Sequence, residues 1–388
     1  MPFALTTAQL DDVDGLLTLY RQVYGRSYAL PLGTDPEVMA HEITSPLTTW
    51  LVARQPGSGR IVGSILGTLD PAEGLGKLQG LVVHPDARGS GLAHQAVRQL
   101  SDLMLSGDRP ADSVYSTART NSTAPQRICL RSGFHPLGMF PNLRKADRHE
   151  TMVLVARYRE GVLERRLPVP RVPAALGGLV RALKGALDGA PGGADLPLPE
   201  IVDQPLGEVR GRRGAAGLEV EVIDAPRFVL RRMAEAVPDP DRRFYPFHTP
   251  NVLLSSQDGA HEVYAQLNAS DGYCTLIGAS PGLTAVGDDL GPLIERLAEY
   301  GASYIETLLP MDRYDDLRLL LAHGFLPAAA YPAMRRHGDG FRDHVVMART
   351  LQPLDFRGLA IDAAFQPFTE QYIELWKQQY LDTHGVFQ

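Results

Sequence analysis

The residues with the clearest chemical capacity run Leu81-Val82-Val83-His84-Pro85-Asp86-Ala87-Arg88-Gly89-Ser90-Gly91-Leu92-Ala93. An apolar, β-branched run turns at His84-Pro85-Asp86 and crosses a glycine-rich loop. It then enters a helical pattern carrying Leu92, Ala96, Leu100 and Leu103. The first amides of a helix have no intrahelical partner, and the macrodipole places partial positive charge there. Gly89 and Gly91 lack a Cβ, so backbone N–H groups can close around a phosphate. Arg88 adds a fixed charge with fork-shaped donors. Strand, glycine turn and helix N-terminus together predict an anion site.

The flanking sequence predicts the elements that hold this loop. Residues 3–7 form a short strand. Asp11, Asp12 and Asp14 then precede Leu16, Leu17, Leu19, Tyr20 and Val23, a helix with acid at its positive end. A polar loop over 24–34 leads to a second helix over 36–43. Residues 50–54 and 60–69 are β-rich runs joined by Pro56-Gly57-Ser58-Gly59, a hairpin signal. Residues 75–83 are the strand that feeds the loop. After the glycine-led helix come a strand over 113–118, a short helix over 124–131, and strands over 133–140 and 151–157. The order is β-αα-βββ-α-β-α-ββ.

Val82-Val83-His84-Pro85 followed by Arg88-x-x-Gly91-x-Ala93, with Ser132-Gly133-Phe134 further on, resembles the acetyl-CoA signature of the GNAT superfamily of N-acetyltransferases. The resemblance covers residues 1–157, shares the element order above, and implies acetyl-CoA as cosubstrate. It implies that Leu81, Val82 and Val83 offer backbone groups to the pantetheine and the thioester carbonyl. By the same resemblance Arg88, Gly89, Ser90, Gly91, Leu92 and Ala93 hold the pyrophosphate. Asn121, one residue from the family's usual asparagine, is a further cofactor-binding candidate. Tyr24 and Tyr28 fall in the loop that faces the acceptor in this family.

The proton-transfer groups depart from the family pattern. The frequent general-acid tyrosine, five residues before the Phe of the Gly-Phe pair, is Cys129 here. A thiol can donate a proton, with a reference pKa near ~8.5. A buried cysteine equally serves as small apolar filler. Gln79 stands on the strand where the family often carries a carboxylate base, and it takes up no proton usefully. His84 could titrate near neutrality, or could be an exposed turn residue.

The second half repeats the first. Gly133-Phe134-His135-Pro136 runs on to Phe140-Pro141, and Gly324-Phe325-Leu326-Pro327 runs on to Tyr331-Pro332 at the same spacing. Each train then reaches an apolar strand ending in Ala-Arg, at Ala156-Arg157 and Ala348-Arg349. Residues 217–350 therefore read as a second, degenerate GNAT-like domain. Its counterpart of the cofactor loop, Ser280 to Leu290, has no arginine and carries Asp288 and Asp289 at the helix start, where they would cap the helix and repel a diphosphate. Only the first copy is expected to bind CoA. The arrangement is similar to mycothiol synthase-type tandem acetyltransferases.

Residues 158–216 are a linker rich in proline and glycine with one short helix, whose Leu176, Val180, Leu183 and Leu187 suit docking on a domain or contact with a membrane surface. Residues 351–388 are a helical extension with Phe368, Tyr372, Trp376 and Tyr380 on one face. The fold class is α/β (α+β), two tandem domains each with a mixed, mostly antiparallel sheet flanked by helices.

A chain of 388 residues, 44% hydrophobic and 21% charged with net charge −7, suits a globular protein and argues against a nucleic-acid groove. The first twelve residues lack a signal-peptide pattern and no run is long enough to span a membrane, so a cytoplasmic location is expected. The two cysteines and eleven histidines show no metal-ligand spacing. The expected function is acyl-CoA-dependent N-acyl transfer, most directly acetyl-CoA to an amine acceptor. The expected assembly is a monomer with an intramolecular pseudo-dimer, or a homodimer. A non-catalytic acyl-CoA sensor or scaffold, whose second half recruits a partner, is the competing reading.

Overall fold

The computed structural model describes residues 3–25, 28, 31–145, 149–191, 197–202 and 220–381, with only the backbone at 144, 145 and 288. Parts of the expected linker (192–196 and 203–216), the first residues of the expected second domain (217–219), the end of the tail (382–388) and the Asp288 side chain therefore lie outside the described residues. In chain order come β1 (Leu5–Thr7), α1 (Val13–Tyr24), α2 (Pro36–Thr44), β2 (Thr48–Arg54), β3 (Ile61–Asp70) and β4 (Leu75–Val83). Next are α3 (Leu92–Ser106), β5 (Ser113–Arg119), α4 (Ala124–Arg131), β6 (His135–Lys145) and β7 (His149–Tyr158). Then follow β8 (Arg171–Pro173), α5 (Gly177–Leu187), β9 (Glu200–Val202), β10 (Val220–Asp224), α6 (Pro226–Ala236), β11 (Val252–Ser256) and β12 (Glu262–Asn268). The chain continues through β13 (Tyr273–Ser280), α7 (Leu283–Val286), α8 (Leu290–Glu299), β14 (Tyr304–Pro310) and α9 (Tyr314–Ala322). It ends with β15 (Leu326–His337), β16 (Gly340–Thr350) and α10 (Gln366–Tyr380).

Contacts divide the chain into two compact units. The first holds residues 1–118, 123–135 and 155–162, and the second holds 119–122, 136–154 and 163–388. In the first unit the strand order is β1-β2-β3-β4-β5. Tight connections make β2, β3 and β4 antiparallel neighbours. The α3 crossover returns the chain so that β5 runs parallel to β4. Strand alternation sorts the side chains: Trp50 and Val52 join Leu16, Leu19, Tyr20 and Met39 under α1 and α2, while Ala53 turns to the face that receives Leu92 of α3. A Cβ at Gly63 would stand 2.7 Å from Leu92 Cδ2, so the glycine lets the N-terminal turn of α3 lie close on the sheet.

In the second unit the strand order is β7-β6-β15-β16-β14-β13-β12-β11-β10, with β7 continuing at its C-terminal end into the first unit. The pair β13–β14, bridged by α8, is parallel. Glu306 is buried on β14, where its carboxylate accepts hydroxyls from Tyr245, Tyr273 and Tyr304. The apolar stripe of α5 is buried, and a Cβ at Gly178 would come within 2.9 Å of Gln371 Cβ on α10. The stripe is thus a packing face and not a membrane one. Phe368 and Tyr372 of α10 are buried as well, and the Tyr380 hydroxyl donates to the Gly324 carbonyl. Where β6 meets β15, Gly138 (φ 149°) faces Ala329 so closely that a Cβ would lie 2.4 Å from Ala329 Cα.

The helices α4 and α9 end in the same way. The Phe134 amide donates to the Cys129 carbonyl and the Gly133 amide to Leu130; the Phe325 amide donates to Leu320 and the Gly324 amide to Leu321. Both are Schellman caps closed by a left-handed glycine, with φ 85° at Gly133 and 77° at Gly324. Over each cap lies the arginine of the Ala-Arg pair. Arg157 Nε would be 3.4 Å from a Cβ at Gly133, and Arg349 Nε 3.6 Å from one at Gly324. Eight residues beyond each Phe, Asn142 (φ 56°) and Ala333 (φ 48°) both adopt left-handed backbone.

Candidate active site

The glycine loop is built from its turn upward. His84 Nδ1 accepts the Asp86 amide at 3.2 Å, and Arg60 holds the Asp86 carboxylate at 2.9 Å. That hydrogen bond from Arg60, foremost, keeps the Asp86 carboxyl below its ordinary range. His84 thus caps a turn with the lone pair a general base would need. Arg88 lies extended after the turn, its Nε 3.4 Å from the Val83 carbonyl. Ser90 Oγ donates to the Ala87 carbonyl at 2.6 Å and stands 3.4 Å from the Leu92 amide.

Gly89 and Gly91 have φ of 77° and 83°, and Gly91 is the N-cap of the fifteen-residue α3. A Cβ at either glycine would meet no heavy atom within 4 Å. The backbone conformation, not crowding, therefore demands glycine, and the space above the first amides of α3 is open. Open amides at a positive helix end, with one guanidinium beside them, fit a diphosphate. Leu92 is buried as the anchor of that end, and Ala93 is half-buried beside it.

The strand before the loop is broken in a particular way. On β3, Leu66 pairs with Gln79 and Ser64 with Val82, so Gly80 and Leu81 together oppose one residue in a bulge. Gly80 takes φ 64° there. The parallel ladder to β5 joins residues 75–77 to 113–115, and Ser116 Oγ donates to the Leu78 carbonyl at 3.1 Å. β4 runs on to Val83 past the end of that ladder, so Leu81, Val82 and Val83 have no partner in the pairing with β5. Val82 is buried in the core, while Leu81 and Val83 are half-buried.

Tyr24, which the sequence placed in the loop, is the last residue of α1, and its ring centroid lies 4.9 Å from that of Tyr28. They share the cluster with Tyr20, whose centroid is 4.9 Å from that of Tyr28. The Tyr20 hydroxyl donates to the Gly80 carbonyl at 2.9 Å. Sequence reasoning placed Tyr20 only in the apolar stripe of α1. The overlooked signal is its hydroxyl, which needs a partner when the ring is buried.

Cys129 is buried on α4, and burial pushes its thiol up to about 12. Asn121 belongs to the second unit, where it lines a small cleft with Arg119, His149, Glu150 and Arg357. Gln79 is held in the β3–β4 ladder. Among the described residues no cluster of three or more His, Cys, Asp or Glu could hold a metal ion, and no helix is long and apolar enough to cross a membrane.

The counterpart loop of the second unit differs from expectation in one respect. Asp289 occupies the N-cap position of α8, but its carboxylate makes no cap bond and instead lies 2.9 Å from His261 Nδ1. Around it, Thr284 of α7 donates to Asp316 of α9, and Arg242 donates to the Pro281 carbonyl. The first of these contacts joins α7 to α9.

Residues 16–134 match the sequence model of the acetyltransferase (GNAT) family. No curated protein matches the chain. Among solved structures, a ribosomal-protein-alanine N-acetyltransferase from Brucella melitensis is similar at 16% identity, covering 40% of this chain and 99% of its own, with a TM-score of 0.35. A GNAT-family acetyltransferase from Streptococcus pneumoniae aligns at 15% identity over 40% and 99%, TM-score 0.36. A spermidine N-acetyltransferase variant from Vibrio cholerae aligns at 13% over 40% and 94%, TM-score 0.34. With its glycine loop, bulged strand and family match in one segment, the chain carries an acetyltransferase domain of the GNAT family at residues 16–134.

Proposed function

We propose that this protein is an acyl-CoA-dependent N-acyltransferase that moves acetyl from acetyl-CoA directly to an amine, and that only the N-terminal copy binds CoA. The observation that carries the reading is the open glycine cradle at the start of α3, continuous with the bulged end of β4. Leu81–Val83 would lie along the pantetheine, and Arg88, Gly89, Ser90, Gly91, Leu92 and Ala93 would surround the diphosphate. Tyr24 and Tyr28 would border the acceptor. The test is acetyl-CoA-dependent thiol release by the purified protein against a panel of amines, aminoglycosides and peptides. Arg88→Ala combined with Gly91→Asp should abolish CoA binding in calorimetry without lowering the melting temperature by more than a few degrees. Aspartate tolerates left-handed backbone and sets a carboxylate where the phosphates would sit. An unchanged dissociation constant would end the cofactor assignment.

We propose further that residues 217–350 are a second GNAT-like copy, following residues 1–157 and a 158–216 linker and preceding a 351–388 extension. What supports this is local geometry shared at matched positions: the two Schellman caps, the arginine above each, and the left-handed Asn142 and Ala333. The parallel pairs agree as well, since Thr307 Oγ1 donates to the Leu276 carbonyl as Ser116 does to Leu78. The helix start that answers to the Gly91 end of α3 carries Asp289 in place of a glycine, and the loop before it has no arginine, which supports CoA binding by the first copy alone. A second reading, an acyl-CoA sensor without turnover, draws on Gln79 and on the tightly held Cys129 proton. Binding of acetyl-CoA with no thiol release against any amine would favour it.

A further inference from the structure

Resting on the acyl-CoA reading above, we infer that Tyr20 is a positioning residue for the thioester: by fixing the Gly80 carbonyl it aims the Leu81 amide at the substrate carbonyl. The bulge at Gly80 and Leu81 is the one place along β4 where the strand leaves the β3 register, and left-handed glycine backbone has few contacts of its own to fix a peptide plane. Tyr20 supplies the missing constraint. Its ring is buried between α1 and the sheet, and its hydroxyl reaches Gly80 O at 2.9 Å.

The direction of each bond in this chain follows from chemistry. A carbonyl only accepts, so Tyr20 donates to Gly80. An indole only donates, so Trp50 Nε1 gives its proton to Ser64 Oγ at 2.7 Å. The Ser64 hydroxyl in turn hydrogen-bonds Tyr20. Burial, with Tyr28 beside it, raises the Tyr20 pKa well above the ordinary value, so the hydroxyl stays a donor at any working pH. In a planar trans peptide the C=O and the following N–H point in opposite directions. Holding Gly80 O against α1 therefore sends the Leu81 N–H away from α1. A fixed amide at a carbonyl that gains negative charge on attack lowers the barrier, and a loosely held one does so less. The fit is close: a Cβ at Gly80 would come within 2.6 Å of the Tyr20 hydroxyl. Gly33 packs against Tyr20 and Tyr28 in the same way, so the acceptor-side loop and the thioester strand share this one phenol.

The test uses acetyl-CoA labelled with carbon-13 at the thioester carbonyl, bound to the full-length protein and read by NMR and infrared. In the wild type the bound carbonyl should move downfield and to lower stretching frequency. In Tyr20→Phe that shift should fall by half or more, while CoA affinity changes less than about threefold. With any amine found to be a substrate, kcat should drop on the order of 10- to 100-fold with KM for acetyl-CoA nearly constant. If Tyr20→Phe folds poorly, Ser64→Ala should give a smaller loss of the same sign. A full wild-type shift in a folded variant overturns the role of Tyr20 alone. Failure of the wild type to bind acetyl-CoA overturns the acyl-CoA reading itself, and this inference with it.

Discussion

At the scale of single residues, Cys129 is where the general-acid and filler readings part. Its thiol is pushed up to about 12 by burial. A departing CoA thiolate resembles an ordinary thiol with a pKa near ~8.5. Proton transfer from Cys129 would therefore run uphill by roughly 5 kcal/mol, which favours the filler reading of this side chain. Cys129→Ala should leave turnover per folded molecule within about twofold and cost ~1 kcal/mol of stability. Cys129→Tyr should overpack α4 and lower the melting temperature. A kcat loss of 10²-fold or more in Cys129→Ala at unchanged melting temperature would restore the general-acid role. The loop glycines were legible in the sequence because left-handed backbone and open amides both require the same residue type. Tyr20 was not, since a tyrosine in an apolar helix stripe looks the same whether its hydroxyl holds a strand or merely finds any acceptor.

Among the elements, β16 carries a buried charge problem that sets a pH limit. His344 pairs across to Tyr331 and Pro310, and its pKa falls to about 3. Burial is the main cause, with Arg335, Arg342 and Arg313 adding repulsion against a weaker opposing bond to the Arg342 carbonyl. As pH falls, the unfolded chain takes up this proton first, near ~6.5, so His344 contributes its full stability above that pH and loses it progressively toward 3. The loss should reach ~2 kcal/mol by pH 5, seen as a lower urea midpoint. His344→Gln should flatten the slope between pH 7 and 5; an equal slope in both proteins would refute the assignment. The matched helix caps were readable because Gly-Phe after an apolar helix dictates local geometry. The left-handed turn at Ala333 was not, for alanine gives no sign of it. Nor was the grouping of residues 136–154 with the later chain readable, because it rests on pairing between β6 and β15 that no run of residues announces.

For the molecule as a whole, the proposed second copy, with Asp289 at its helix start, sets a stoichiometry. Titration calorimetry should saturate at one CoA per chain, and a second equivalent of comparable affinity would refute CoA binding by the first copy alone. The seam at Gly138 sets a different condition. A premature stop codon shortly after Tyr158 would spare every residue of the glycine loop, yet it would strip β15 from β6. The exposed border would present bare backbone donors and acceptors with no side chain at Gly138 to screen them. Uncovered strands of that kind recruit further chains. Such a product would be lost to aggregation and quality control before its chemistry could matter, so the fate of the glycine loop hangs on a strand that contributes none of its residues.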